Sequence, residues 1–276
     1  MKQVQQNQIG VFDSGVGGLT VLRQLKQQLP EESFLYFADT ARLPYGTRTK
    51  EEILQFVREI LTWMQAEGVK MVIMACNTSS ALALEEVRQE FPFPVLGLIL
   101  PGARAAIHQG RSIGVIATPA TVASNAYQRA ILEADAGVEV FQVGCPEFVP
   151  LIEQNRLTDV YTYQIAEQYL QPLLDRSIDT LIYGCTHYPH LNPVIKRILP
   201  PAVKTVNPAY AVAIAAEKEL QLLSLQNTNS PLPTRFCVSG EPQQFALLSQ
   251  QFLGEHPHVE KVSLQSTHLP ACRFIG

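Results

Sequence analysis

Short apolar runs alternate along the chain with stretches in which apolar residues recur every three or four positions. The runs predict strands at 9–12, 34–38, 69–75, 94–99, 113–117, 138–143, 179–184 and 203–206. The stretches between them predict helices, for example at 18–29 and 51–65. Strands that are apolar on both faces, separated by amphipathic helices, are typical of parallel sheets covered on both sides. The predicted fold class is therefore α/β.

Two segments of the chain are repeated in the same order. The strand and turn that begin at Ile9 resemble those that begin at Ile113, and the segment 72–78 resembles 181–187 at a similar offset. In each copy of the second segment a cysteine, Cys76 or Cys185, follows the buried strand. Open α/β sheets bind ligands at the carboxyl ends of their strands. We therefore expect two related halves whose cysteines face one cleft.

The end of the chain follows a different pattern. The polar stretch 224–234 predicts a loop, and a strand at 235–239 and a helix at 242–253 are expected after it. The last dozen residues have the composition of a loosely held tail.

The composition fits a folded protein of one large domain or two small ones. Of the 276 residues, 46% are hydrophobic and 17% are charged, which excludes a disordered, collagen-like or coiled-coil chain. The formal net charge is −4 and no basic run offsets it, so nucleic acid is not an expected partner. No apolar run approaches the roughly 18 residues that span a bilayer, and the polar N-terminus lacks a secretory signal, so no membrane partner is expected.

The five cysteines predict a reducing environment. Their number is odd and no two form a C-x-x-C pair, so a disulfide framework is not expected and the cytoplasm is the expected compartment. Most free cysteines are small core residues. Cys76 and Cys185 differ because each is followed by polar side chains and by a predicted helix start, which favours the thiolate and predicts a lowered thiol pKa. Their duplication favours a functional pair over two structural cysteines.

A zinc site is the alternative for one of these cysteines. Cys185, His187 and His190 have spacings that could belong to metal ligands. Structural zinc needs four ligands and catalytic zinc usually three, and Pro189 bends the chain between the histidines. We therefore expect no metal, and His190 alone is interpreted as a surface or helix-start residue.

The turn after the first predicted strand is rich in glycine. Its sequence, Asp13-Ser14-Gly15-Val16-Gly17-Gly18, predicts an anion cradle in which backbone N–H groups approach a carboxylate or phosphate. The turn is neither a P-loop nor a full dinucleotide fingerprint, although Asp39 follows the next strand as a ribose-binding acid would. A nucleotide-binding α/β module therefore stays open as an alternative.

Three further places carry polar groups at the expected cleft. Pro44-Tyr45-Gly46 lies in a loop after the second strand, although proline and glycine alone would explain a turn there. Thr118 and Thr121 could supply hydroxyls to a ligand or cap the next helix. Glu153, in a helical stretch, has by itself the pattern of a solvated face. There is no Ser/His/Asp triad, and no lysine stands in a motif where a pyridoxal enzyme would need one.

Taken together and in order, these motifs resemble those of the glutamate racemases in the cofactor-independent aspartate/glutamate racemase superfamily. The segments that carry the resemblance are 13–19, 44–46, 75–78, 113–121, 145–153 and 184–189, so it extends from about Ile9 to Leu264. It implies two pseudo-symmetric α/β domains with the active site between them. The first domain would comprise 1–97 with 208–276, and the second 98–207.

The resemblance also implies roles for individual residues. Cys76 and Cys185 would be the two bases, with Asp13 and His187 assisting them and Glu153 helping to orient the second half-site. The substrate-binding residues carried over are Asp13, Ser14, Pro44, Tyr45, Gly46, Asn77, Thr78, Thr118, Thr121, Thr186 and His187. The implied reaction is racemisation of glutamate without cofactor or metal, supplying D-glutamate for peptidoglycan and hence for cell shape. A homodimer is compatible with it. An aspartate or related amino-acid racemase, and an amino-acid-binding protein without activity, remain alternatives.

Overall fold

Two parallel sheets form the framework of the computed structural model, which describes residues 7–264. The first sheet contains β1 (Ile9–Asp13), β2 (Phe34–Ala38), β3 (Met71–Met74), β4 (Val95–Gly97), β9 (Arg235–Val238) and β10 (Val259–Lys261). The second contains β5 (Ser112–Ala117), β6 (Glu139–Gly144), β7 (Thr180–Gly184) and β8 (Lys204–Val206). All of their pairings are parallel, which confirms the predicted α/β class.

The two sheets share one strand order. The first runs β10-β9-β2-β1-β3-β4 and the second β6-β5-β7-β8. The unit β2-β1-β3-β4 thus matches β6-β5-β7-β8 strand for strand. The two repeated sequence segments occupy equivalent strands, β1 with β5 and β3 with β7, so the repeat in the sequence is a repeat of structure.

Helices cover the sheets and connect their strands. They are α1 (Leu19–Gln28), α2 (Lys50–Ala66), α3 (Asn77–Leu82), α4 (Leu84–Val87), α5 (Ile99–Ile107), α6 (Pro119–Ala123), α7 (Ala126–Ala134), α8 (Phe148–Glu153), α9 (Val160–Leu174), α10 (Asn192–Ile198), α11 (Pro208–Leu222) and α12 (Pro242–Leu253). Helix α11 packs against both α1 and α5 and so joins the two halves. None of the helices within 7–264 is long and apolar enough to cross a membrane.

Local signals explain where the helices begin. Thr49 caps α2 through a capping box, in which its hydroxyl accepts from the N–H of Glu52 and the Glu52 carboxylate accepts from the N–H of Thr49. The buried face of α1 consists mainly of leucine and valine, as its spacing predicts.

Most predicted elements are confirmed, with two differences. The strand expected at 94–99 ends at Gly97, because the chain turns at Leu98 and the apolar residues after it begin helix α5. Strand β10 was not predicted, since it is a short, largely exposed edge strand with two charged residues. The loop at 224–234 and the helix at 242–253 are confirmed. The predicted tail at 265–276 lies outside the described residues.

Candidate active site

A cavity of about 620 Å³ lies where the carboxyl ends of the two sheets face each other. Its volume is typical of a site for a small molecule. The predicted site residues that line it are Asp13, Ser14, Pro44, Tyr45, Gly46, Cys76, Asn77, Thr78, Thr118, Glu153, Cys185, Thr186 and His187. Both repeated cysteines therefore lie in one cleft, each contributed by an equivalent strand of its own sheet.

Cys76 follows β3 and is the residue before α3. Burial, together with the nearby Asp13 and Cys185, raises the pKa of its thiol to about 12, against hydrogen bonds from Ser79 that lower it. The lowered thiol pKa expected from the helix start is therefore wrong for Cys76. The N–H group of the helix start is present, but the cost of a charged sulfur in a buried site is larger. Cys76 is a thiol at neutral pH.

Cys185 follows β7 directly and is bonded to a histidine. Its Sγ lies 3.8 Å from Nδ1 of His187, whose Nε2 lies 3.0 Å from Oε1 of Glu153. Burial alone would lower the pKa of His187, but the bonds to Cys185 and Glu153 raise it to about 10. The imidazole is therefore protonated at neutral pH and stands between a sulfur and a carboxylate. Glu153 is thus part of the site and not a solvated face.

The glycine-rich turn cradles an anion, but that anion belongs to the protein. Oδ2 of Asp13 accepts from the N–H of Gly18 at 2.7 Å and from that of Gly15 at 3.3 Å. Burial raises the pKa of Asp13, and His187 and these N–H groups oppose the rise. The N–H groups of Gly15 and Gly18 thus have an acceptor within the protein, which weakens the nucleotide-binding alternative. That the turn also holds the carboxylate or phosphate of a ligand stays a prediction.

Asp39 is likewise engaged within the protein. It is fully buried and accepts from the hydroxyl of Tyr45 at 2.5 Å, from Nε of Arg42 at 2.6 Å and from the hydroxyl of Ser239 at 2.8 Å. Arg42 also forms an ion pair with Glu59. This network holds the loop 43–47 at the cleft. Since the hydroxyl of Tyr45 serves Asp39, it is not a free donor to a ligand.

Three threonines join the halves across the cleft. The hydroxyl of Thr78 lies 3.0 Å from that of Thr118 and 3.3 Å from that of Thr121. Thr118 also caps α6 by accepting from the N–H of Thr121, which confirms the capping interpretation. That its hydroxyl binds a ligand stays a prediction. Thr121 is fully buried and is absent from the cavity lining, so the structure places it behind the site.

The first half also contacts the second through its glycine turn. A side chain on Gly17 would overlap the imidazole of His187 and lie 2.6 Å from the hydroxyl of Thr186. The hydroxyl of Thr20 donates to the carbonyl of Thr186 at 3.0 Å. Glycine is needed at 17 because the backbone there comes this close to the histidine of the other half.

The three candidate zinc ligands do not surround one point. His187 is bonded to Cys185 and Glu153, whereas the ring of His190 packs against Phe252 with centroids 4.3 Å apart. His190 is half-buried and lies in the 3₁₀ turn Tyr188–Leu191 just before α10, which agrees with the interpretation as a helix-start residue. Burial and the nearby His187 and Arg23 lower its pKa to about 4. In residues 7–264 no group of three or more His, Cys, Asp or Glu side chains is arranged to hold a metal ion.

Part of the cavity wall was not predicted from the sequence. The additional lining residues are Leu43, Thr47, Pro119, Cys145, Pro146, Val149, Pro150, Gln154, Gln244 and Leu248. Gln244 and Leu248 come from α12, far along the chain, and no motif marks them. The segment 145–153 was singled out by resemblance, yet among its lining residues only Glu153 was assigned a role.

Comparisons with known proteins agree with this geometry. A glutamate racemase of Gloeothece citriformis is 67% identical over 264 residues, covering 96% of this chain and 95% of that protein. The crystal structure of the glutamate racemase isoform RacE1 of Bacillus anthracis superposes with a TM-score of 0.91 at 38% identity, covering 95% of this chain and all of that one. A glutamate racemase of Francisella tularensis in complex with D-glutamate gives 0.90 at 37% identity, covering 95% and 100%. The family model for Asp/Glu/hydantoin racemases matches residues 9–234, and the chain belongs to that family.

Proposed function

We propose that the protein interconverts L- and D-glutamate, with Cys76 and Cys185 as the two groups that exchange the α-proton. The observation that carries the proposal is the pair of thiols at equivalent strand ends of the two sheets, facing one cavity. Inverting an α-carbon requires a proton to leave from one side and another to arrive on the opposite side. A single base cannot easily reach both sides, whereas mirrored thiols can.

Cys76 would act as an acid in one direction of the reaction and as a base in the other. Its thiol keeps its proton at neutral pH, so it can deliver one to a carbanion-like centre. In the opposite direction Cys76 starts as a thiolate, and the adjacent negative charge of Asp13 makes that thiolate a stronger base. A stronger base suits the α-proton of an amino acid, which is only weakly acidic.

Cys185 would act as the base where Cys76 acts as the acid, and as the acid where Cys76 acts as the base. His187 and Glu153 would assist it. His187 holds a proton at neutral pH 3.8 Å from the sulfur, and it can give or take that proton as the charge on Cys185 changes. Glu153 bonds the far nitrogen of the ring and fixes the imidazole in this orientation. Glu153 is thus a positioning residue that acts through His187, whereas Asp13 acts on Cys76 through its charge.

The polar lining fits a small dicarboxylate. Asn77, Thr78 and Thr186 supply amide and hydroxyl groups, and the first N–H groups of the 3₁₀ turn Tyr45–Thr47 have no partner within that turn. Donors fixed in advance at these positions can bind the carboxylates of the substrate. The choice of glutamate within the family follows the names of the similar proteins, one of which holds D-glutamate.

We also propose that the chain divides into two domains, one of 1–97 with 208–276 and one of 98–207. The division is supported by the sheets, since β1–β4, β9 and β10 form one and β5–β8 form the other. The proposed product, D-glutamate, would enter peptidoglycan synthesis.

A circular-dichroism assay with no added cofactor tests the proposal. Purified protein should interconvert L- and D-glutamate in both directions, and turnover should survive exhaustive treatment with EDTA. Aspartate should be converted much more slowly. Turnover of aspartate faster than glutamate would favour the aspartate branch. Binding of glutamate without turnover would favour an amino-acid-binding protein.

A further inference from the structure

A buried tyrosine outside every motif connects the two halves at the site. Tyr127 lies in α7 with no exposed surface, and its hydroxyl donates to Oδ1 of Asn77 at 2.7 Å. Asn77 is the residue after Cys76 and lines the cavity. One side chain of the second half therefore contacts the substrate-facing motif of the first.

The ring of Tyr127 has little freedom to move. A side chain on Gly184 would lie 3.3 Å from its Cε2, and one on Gly102 would lie 3.4 Å from its Cε1. Glycines at these two positions let the ring fit closely beside the residue that precedes Cys185. Burial raises the pKa of Tyr127, so the hydroxyl keeps its proton and remains a donor. The hydroxyl is thus a fixed donor aimed at the oxygen of Asn77.

In the structure the hydroxyl donates to Oδ1 of Asn77, which leaves the other end of the amide for the cavity. An asparagine amide has an acceptor oxygen and a two-hydrogen donor nitrogen. With Oδ1 held by Tyr127, the group left for the cavity is Nδ2. A donor there attracts a carboxylate oxygen and offers nothing to an ammonium group. If the amide could turn by half a rotation, an acceptor would face the cavity part of the time.

We propose that Tyr127 is a positioning residue that holds the Asn77 amide with its N–H groups toward the cavity and thereby selects a carboxylate at that place. The proposal rests on the proposed function, since it assigns how the same site recognises its substrate. The contact lies within the protein, and the carboxylate that it would orient carries its charge in the substrate and in the transition state alike. Its loss should therefore raise KM and leave kcat nearly unchanged.

The test is Tyr127→Phe, which removes the hydroxyl and keeps the buried ring. KM for glutamate should rise roughly threefold to tenfold in both directions, as expected for one hydrogen bond, with kcat within about twofold of wild type. Tyr183→Phe is the matched control. The hydroxyl of Tyr183 also donates to an asparagine oxygen, that of Asn192, at 2.7 Å, but neither residue lines the cavity. KM should stay at the wild-type value in this control.

A double-mutant cycle with Asn77→Ala separates positioning from general destabilisation. Without the amide there is nothing to orient, so adding Tyr127→Phe to Asn77→Ala should change KM no further. Where turnover is too slow to measure, the same cycle is completed with the Kd for D-glutamate, measured by calorimetry. Only variants whose circular-dichroism spectrum matches that of the wild type are used.

An unchanged KM and Kd in Tyr127→Phe, or a rise that persists in full without Asn77, would overturn the proposal. Wild-type protein that binds D-glutamate without turning it over would contradict the proposed function alone, and the calorimetric cycle would still decide the role of Tyr127. Wild-type protein that neither binds nor converts glutamate would overturn both.

Discussion

Replacing Glu153 by glutamine should move the alkaline limb of the pH–rate profile toward neutral pH. In the proposed mechanism His187 works in its protonated form, and two bonds raise its pKa to about 10 against the effect of burial. Glutamine keeps an acceptor near Nε2 of His187 but removes the negative charge. The protonated ring is then less favoured, so it loses its proton at a lower pH.

The size of the shift follows from the geometry. The bond from His187 to Glu153 is 3.0 Å long, the histidine side chain is 6% exposed and that of Glu153 is 30% exposed. A hydrogen bond to a charged group contributes about 1.5–3 kcal/mol, compared with about 1 kcal/mol for a neutral one. The difference between the two is about 0.5–2 kcal/mol, and solvent near Glu153 places it at the low end, about 0.7 kcal/mol, or about half a pKa unit. The pKa of His187 should therefore be about half a unit lower in Glu153→Gln than in the wild type.

Two measurements check this shift. One is kcat/KM from pH 7 to 10.5, and the other is an NMR titration of His187. Glu147→Gln is the control, because Glu147 is the residue before the same helix, α8, and its carboxylate accepts from Tyr161 and Tyr169 without touching His187. An alkaline limb that stays in place in Glu153→Gln, or that moves equally in Glu147→Gln, would refute the reasoning.

The same raised pKa predicts how stability depends on pH. A histidine whose pKa is higher in the folded state stabilises the fold most below its unfolded value near 6.5 and loses that contribution as pH rises through about 10. The difference in Tm between wild type and Glu153→Gln should therefore be largest near neutral pH and vanish above about pH 10. A difference that grows with pH would contradict this sign.

Further variants test the thiols and the close approach of the halves. Cys76→Ala and Cys185→Ala should each lower kcat by about a hundredfold to ten-thousandfold. Cys237→Ala, on strand β9 with its side chain in the core, should lower Tm modestly and keep kcat. Equal losses of kcat in all three folded variants would remove the special role of the pair. Gly17→Ala should reduce kcat strongly because its methyl group would overlap the imidazole ring, whereas Gly15→Ala adds a methyl at an ordinary 3.5 Å from Leu43 and should be mild. Similar kcat values for the two alanine variants would contradict the close contact.

The two cysteines could be found from the sequence because their signal is local. Each follows a buried strand, each is flanked by small and polar residues, and the segment occurs twice. Parallel strands end at a common edge, so position in the sequence was enough to place both at the cleft. The glycine turn was identified as an anion cradle for the same reason. Its anion could not be named, since Asp13 and a ligand phosphate satisfy the same N–H groups.

Properties that depend on tertiary packing could not be predicted. The pKa of Cys76 is set mainly by how deeply the thiol is buried, which the residues next to it in the sequence do not reveal. Glu153 has the sequence of an exposed helix face and gains its role from a histidine 34 positions away. Tyr127 is a core residue by every local criterion, and only the structure shows that its hydroxyl reaches Asn77.

Incorporation of deuterium from solvent tests the two-thiol mechanism most directly. Racemisation is started from each enantiomer in deuterated water and stopped below about a tenth of conversion, so that reversal is negligible. NMR then gives the α-deuterium content of substrate and product. If the thiols lie on opposite sides of the α-carbon, the proton taken by one is not the proton given by the other. Essentially all product should then carry deuterium while the remaining substrate carries very little. Product that retains the substrate's α-hydrogen, or substrate that gains deuterium as fast as product forms, would contradict the account.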